Sequence, residues 1–277
     1  MRVETCCGGL WVEVSGEGRD LVLWPSLLMD GGMWHHQVAA FSARHRVVSI
    51  DPPGHGRSEP TARAYGMDDC VRAARTVLDA VGARGPAWCG LSWGGMVGMR
   101  LAARYPRLLS SLILADTTAR RAPRSQRARY GLLAAIARRV GPIPPLLRRV
   151  EPLMFGDPTA HPDEVRRFRA HVAGMDRRSI GHAVDAVLLN RDDVSEEVQR
   201  IALPTLVVVG EEDTALPPRD SVLLAAAIPD AELVRLRGAG HLSCMEAPGA
   251  FTAAVTRFLA SHDAPAATLT ATLQSSA

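Results

Sequence analysis

In Pro86-Ala87-Trp88-Cys89-Gly90-Leu91-Ser92-Trp93-Gly94-Gly95-Met96-Val97-Gly98, an apolar run enters the frame Gly90-x-Ser92-x-Gly94, and a helix-forming segment, Met96 to Tyr105, leaves it. The order is strand, sharp turn, helix. Glycines on both sides let neighbouring backbone crowd the turn, which pushes the Ser92 hydroxyl out above the sheet edge. The Trp93 backbone N–H then stands at the positive end of the following helix, where a developing oxyanion is stabilised. Ser92 is therefore the candidate nucleophile. Small residues cluster in many loops, so the frame gains its weight from the rest of the chain.

Downstream, Thr205-Leu206-Val207-Val208-Val209-Gly210 is a short β-branched run that reads as a buried parallel strand. It ends in Glu211-Glu212-Asp213, with a carboxylate just past its C-terminal end. Glu232 to Leu236 alternates like another strand and leads into Gly238-Ala239-Gly240-His241. A serine hydroxyl is a weak nucleophile at neutral pH and needs a base within reach, for which His241 is the candidate. Asp213 would fix the imidazole tautomer and stabilise its charged form. The order Ser, Asp, His, each on a loop after a strand, is one of the few in which this chemistry recurs. A helix-capping role for His241 is the bland alternative; glycines on its N-terminal side, directly after a strand, speak against it. Glu211, Glu212 and Asp116 are rivals for the acid, and Gly210-x-x-Asp213 with Pro217 behind it favours Asp213.

Other strands are predicted at Leu10–Val14, Leu21–Trp24, Val47–Asp51 and Leu112–Ala115, with a helix capped by Asp68 or Asp69 that runs to Val81 and stops at Gly82. Strands alternating with helical spacers of ten or more residues indicate an α/β protein with a mostly parallel, doubly wound sheet. Between about Thr118 and Val198 the rhythm breaks. Helical pieces are predicted at Tyr130–Val140, Asp163–Met175 and Ser179–Asn190, punctuated by Pro142, Pro144, Pro145 and Pro158. The stretch 263–277, made largely of Ala, Thr, Ser and Pro, is expected to be disordered.

A chain of 277 residues can bury one full core and a small insertion without staples. Five cysteines (Cys6, Cys7, Cys70, Cys89, Cys244) show no paired spacing and leave one over, which points to a reducing, cytoplasmic setting. Cys89 and Cys244 are expected to be small buried groups. No apolar segment has the length of a signal or a membrane span, so no membrane partner is expected. Net charge is +3 and every basic residue is Arg. Nine arginines (Arg120, Arg121, Arg124, Arg127, Arg129, Arg138, Arg139, Arg148, Arg149) fall between 120 and 149 without one acid. A solvated helical face is the plain account of them, and attraction of an anionic substrate or partner the alternative. No aromatic interleaving accompanies them, so nucleic acid is not an expected partner. His35, His36 and His55 read as polar loop residues. No carboxylate joins a histidine pair in the sequence, so no metal is expected.

Pro25-Ser26-Leu27 with Met33-Trp34, Asp51-Pro52-Pro53-Gly54-His55-Gly56-Arg57-Ser58, the Gly90–Gly98 stretch and Gly238–Ser243 resemble the α/β-hydrolase superfamily, from about residue 10 to about residue 260. Within it the likeness is to 3-oxoadipate enol-lactonase and its relatives. The resemblance implies an α/β-hydrolase core over 1–117 and 199–262, and a helical cap over 118–198 between the strands ending near Asp116 and Gly210. It implies backbone donors from Leu27 and Trp93 for the oxyanion, and a scaffold turn at Asp51, Gly54, Gly56 and Ser58. Met33 and Trp34 are candidates to line the pocket, with core packing as the alternative. Two departures stand out: Pro25 where the lactonases usually have Asn, and Trp93 where they have an aliphatic residue. An indole beside the nucleophile is expected to reshape the acyl pocket. The implied activity is hydrolysis of a small carboxylic ester or lactone through an acyl-enzyme, with no cofactor. The alternatives are C–C bond hydrolysis of a vinylogous diketone or a tailoring step on a natural product with the same triad, and, in another class, a ligand receptor with vestigial catalysis. Homo-oligomerisation is compatible with the sequence.

Overall fold

The computed structural model describes residues 1–262, so the expectation for 263–277 lies outside the described residues. Eight strands form one sheet: β1 (Arg2–Thr5), β2 (Gly8–Ser15), β3 (Arg19–Trp24), β4 (His45–Ile50), β5 (Ala87–Leu91), β6 (Ser111–Ala115), β7 (Thr205–Gly210) and β8 (Glu232–Leu236). Their order across the sheet is β1-β2-β4-β3-β5-β6-β7-β8, antiparallel for the first two pairings and parallel from β4 onward. Every residue of β5, β6 and β7 is buried, as uninterrupted apolar runs require when helices cover both faces.

The helices are α1 (Val38–Ser42), α2 (Met67–Ala80), α3 (Trp93–Arg104), α4 (Arg124–Val140), α5 (Pro144–Met154), α6 (Pro162–Gly174), α7 (Arg177–Val184), α8 (Pro218–Ala227), α9 (Ser243–Glu246) and α10 (Pro248–His262). Four of them, α4 to α7, stand between β6 and β7 with no strand among them, where the sequence rhythm breaks. The predicted strands and the helices at Tyr130 and Asp163 are found with ends shifted by a few residues. Three local readings differ. Helix α2 is capped by Gly66, and Asp69 instead reaches back from the first turn to accept the Gly66 N–H at 2.9 Å. Pro144 and Pro145 do not break structure but start α5, where their missing N–H groups cost nothing. The helix expected over Ser179–Asn190 ends at Val184 and widens into a π turn over Asp185–Leu189.

The parallel register decides where chemistry is presented. Trp24 lies opposite Gly90, Leu91 opposite Ala115, Ala115 opposite Val208 and Gly210 opposite Leu236. The C-terminal ends of β3, β5, β6, β7 and β8 are therefore level, and the loops after them open on one sheet edge.

Candidate active site

The turn after β5 is as tight as its sequence requires. Ser92 has φ 52° and ψ −104°, a region that costs a non-glycine residue of order 1–3 kcal/mol. The surrounding packing holds it there: a Cβ on Gly90 would come within 2.1 Å of the Gly94 carbonyl carbon, and one on Gly94 within 2.0 Å of the Trp24 carbonyl oxygen. Ser92 N–H donates to Ala115 O at 2.8 Å, and Thr117 Oγ1 donates to Ser92 O at 2.8 Å, so the turn is tied to β6 on both sides. The Ser92 hydroxyl has no hydrogen-bond partner among the described residues and lines a cleft of about 1030 Å³, counted to its open mouth.

His241 borders the same cleft. Its Nδ1 donates to Asp213 Oδ2 at 2.8 Å, and both side chains are buried. Asp213 Oδ1 accepts the Ala215 and Leu216 N–H groups at 2.8 and 2.9 Å, which fixes the carboxylate from the other side. With Nδ1–H committed to Asp213, Nε2 is the nitrogen left for proton transfer. Burial disfavours the imidazolium, but Asp213, its hydrogen bond, Asp116 and Glu246 outweigh it, and the His241 pKa is raised. Asp116, the rival acid, is fully buried and serves elsewhere: Oδ1 accepts Gly210 N–H at 2.8 Å, and Oδ2 pairs with Ser243 Oγ. Burial and the nearby Asp213 push its carboxyl well above the usual range. Glu211 and Glu212 are exposed.

Neither the Leu27 nor the Trp93 backbone N–H has an acceptor among the described residues, and Leu27 borders the cleft beside Ser92. The Leu27 loop is braced by the next residue: Leu28 N–H donates to His55 Nε2 at 3.2 Å, while His55 Nδ1 donates to Pro53 O at 2.9 Å. Burial lowers the His55 pKa to about 4, so the ring stays neutral in this bridging tautomer. His55 is more than the polar loop residue its sequence suggests: its burial and these two bonds make it a brace. Asp51 holds the scaffold turn, accepting Gly31 N–H and Arg57 N–H at 2.8 Å each.

Three sequence expectations are corrected. The Trp93 indole does not reach the acyl pocket; it is fully buried against Trp24, His55 and Tyr65, because the helix start aims it into the sheet–helix interface. Met33 and Trp34 are likewise core residues, Trp34 packing on Phe251, and neither borders the cleft. Against the expectation from sequence, a carboxylate does join a histidine pair. His35 Nε2 and His36 Nε2 lie 3.2 and 3.1 Å from Glu164 Oε1, within metal-ligand reach of one another, because α6 brings Glu164 over the loop before α1. None of these three borders the cleft. Cys89 and Cys244 are buried with thiol pKa values pushed up by burial, as expected of packing groups.

The rest of the cleft wall comes mainly from α4 to α7 and is apolar, with Leu133, Leu146, Val150, Leu153, Val172 and Ile180 among its members. Three of its polar side chains carry no mark in the sequence, Gln126, Tyr130 and the buried Arg191, and Gln126 Nε2 donates to Tyr130 Oη at 3.2 Å. The α5–α6 connection meets the histidine loop directly. Glu246 Oε2 accepts Gly156 N–H at 2.8 Å, and a Cβ on Gly240 would come within 2.1 Å of that same nitrogen.

Among known proteins, the family described as alpha/beta hydrolase fold matches residues 21–248. The 3-oxoadipate enol-lactonase 2 of Acinetobacter baylyi is 29% identical, covering 85% of this chain and 86% of its own. The enol-lactonase structure from Burkholderia xenovorans superposes with a TM-score of 0.86 at 30% identity, over 94% of this chain and 100% of that one. A thermophilic esterase from Thermogutta terrifontis gives 0.87 at 27% identity, over 95% and 98%.

Proposed function

This chain belongs to the α/β-hydrolase fold family and is a hydrolase, and on that footing we propose that it cleaves a small carboxylic ester or lactone with Ser92 as nucleophile, His241 as general base and acid, and Asp213 as its orienting partner. The observation that carries this reading is the buried 2.8 Å bond from His241 Nδ1 to Asp213 Oδ2 on a cleft that Ser92 also borders. Ser92 Oγ attacks the acyl carbonyl carbon as His241 Nε2 takes its proton. The Leu27 and Trp93 N–H groups receive the oxyanion. The C–O bond to the leaving group breaks, and the imidazolium returns the proton to the departing oxygen. In a lactone that alcohol stays attached to the acyl group. Water, deprotonated by His241, then attacks the acyl-enzyme and Ser92 regains its proton as the acid leaves. The Ser92 hydroxyl is not yet hydrogen-bonded to the imidazole, and bound substrate is expected to tighten that contact.

Residues 118–198 act as the cap that shapes the apolar wall, which suits a substrate with a sizeable hydrophobic part. No described helix is long and apolar enough to cross a membrane. The free cysteines fit a reducing compartment, in keeping with a cytoplasmic enzyme. Replacement Ser92→Ala is expected to abolish turnover of p-nitrophenyl esters while the circular-dichroism spectrum and melting curve stay those of the parent. Retained turnover in that variant would refute the assignment.

A further inference from the structure

His35 and His36, on the turn that follows Gly31–Trp34, lie with ring centroids 3.9 Å apart. Both turn Nε2 on one atom, Glu164 Oε1, at 3.2 and 3.1 Å. The other nitrogen of His35, Nδ1, stands 3.1 Å from Gly32 O. A neutral imidazole has a single N–H, so His35 can satisfy only one of these two acceptors. With Nδ1–H given to Gly32 O, Nε2 points a lone pair at a carboxylate oxygen. Only a proton or a metal ion between the two makes that contact attractive. Glu164 is 9% exposed, and its second oxygen, Oε2, is buried with no hydrogen-bond partner among the described residues. The exposed Arg167 lies 4.0 Å from that oxygen, too far to donate to it.

The cluster is built from two distant parts of the chain and is held in place without an ion. Glu164 comes from the first turn of α6, and His171, two turns further along the same helix, pairs with Asp30 beside the histidine turn, Nδ1 to Oδ2 at 3.1 Å. The two pieces are thus pinned at a second point. The bond from His35 Nδ1 to a backbone carbonyl is the support that ligand imidazoles commonly have, since it fixes the ring and leaves Nε2 for a metal. All three donor atoms lie within 4.8 Å of one another. Around a tetrahedral ion with bonds of about 2.0–2.1 Å, ligand atoms stand about 3.3–3.4 Å apart. The two histidine–glutamate distances, 3.2 and 3.1 Å, already approach that spacing. Two imidazole nitrogens and one carboxylate oxygen suit Zn²⁺ and its first-row neighbours, whereas Mg²⁺ and Ca²⁺ favour oxygen alone. His36 is exposed and gives an ion its way in.

We propose that His35, His36 and Glu164 bind one divalent ion of the zinc class, which fastens α6 to the loop before α1. The ion is a structural one, because none of its three ligands borders the cleft. It bears on the cleft through α6, whose Val172 lines the wall and whose Arg169 pairs with Glu151 of α5 at 2.6 Å. The site holds whichever bond the hydrolase cleaves.

The test is calorimetric titration of the full chain, stripped with chelator and dialysed, with zinc chloride. One site per chain is expected. Glu164→Gln keeps the size of the side chain and an oxygen that accepts from a neutral histidine, but loses the charged ligand. His36→Ala removes one imidazole at an exposed position. Each should weaken binding by more than the about 10–100-fold that loss of a supporting group costs. Zinc should raise the Tm of the wild type and leave that of both variants unchanged. Magnesium chloride should neither bind there nor raise the Tm. X-ray absorption at the zinc edge of the wild-type complex needs no variant. It should show imidazole scattering, nitrogen and oxygen neighbours at about 2.0–2.1 Å, and no sulfur shell at about 2.3 Å. A silent titration would overturn the site and leave a proton holding the three side chains together. Undiminished affinity in either variant, or a sulfur shell, would place the ion elsewhere and overturn it equally. Binding with no change in the wild-type Tm would overturn the fastening of α6.

Discussion

At the scale of single residues, hydrogen bonds decide which nitrogen and which carboxylate are free to act. His241 spends Nδ1–H on Asp213, and Asp213 spends its second oxygen on two backbone N–H groups. Each bond narrows the choice of role for the next atom. Burial alone would push the His241 pKa down, but Asp213 and its hydrogen bond win, and the value rises above 6.5. With His241 as the proposed general base, which works only when neutral, activity is expected to be lost as pH falls through that raised pKa. The acid limb of kcat/KM is therefore expected to have its midpoint above 6.5. Asp213→Asn removes the largest upward push, so the midpoint should move down and kcat should fall by roughly 10⁴. A wild-type midpoint at or below 6.5, measured across a pH series, would contradict this placement of charges. In sequence the Gly210-x-x-Asp213 frame and Pro217 favour Asp213 over Asp116 without excluding the latter. The geometry adds that Gly210 N–H and Ser243 occupy the oxygens of Asp116.

At the scale of elements, the strand–turn–helix of residues 87–104 shows why the chain could be read so far from its letters alone. Gly90 and Gly94 are demanded by backbone from two other places, Gly94 itself and Trp24, which leaves no room for a side chain. Sequence periodicity also marks the buried strands, because a strand covered on both faces must be apolar throughout. Gly94→Ala would set a methyl group 2.0 Å from the Trp24 carbonyl oxygen, and the backbone cannot yield cheaply there. Urea unfolding is expected to show a loss of more than about 3 kcal/mol for that variant. Gly249→Ala, where a Cβ meets nothing within 4 Å, should stay within about 0.5 kcal/mol or be slightly stabilising. Equal stabilities for the two variants would mean the elbow is not packed as described. Helix α5 and strand β1 were not legible. Prolines that end helices in one context begin them in another, and Arg2–Thr5 carries too few apolar residues to display a period.

At the scale of the molecule, level strand ends gather loops that are far apart in the chain onto one sheet edge, and α4 to α7 roof it. Chain order and loop placement foretold that edge, since they follow from topology. The lining of the roof was not foretold. A helix in water shows which face is apolar, but not that one face will front a cleft or that Arg191 will be buried at its edge. For the same reason Trp93, the neighbour of Ser92 in sequence, lies in the core, while Glu164 meets His35 and His36 from 128 residues away or more. On the reading proposed above, the convergence on that edge makes Ser92 a nucleophile. Peptide mass spectrometry of the enzyme after inactivation with diethyl p-nitrophenyl phosphate tests it most directly. One phosphoryl adduct, on the peptide that holds Ser92 and in proportion to the activity lost, is the expected result. Complete inactivation with that peptide unmodified would contradict it.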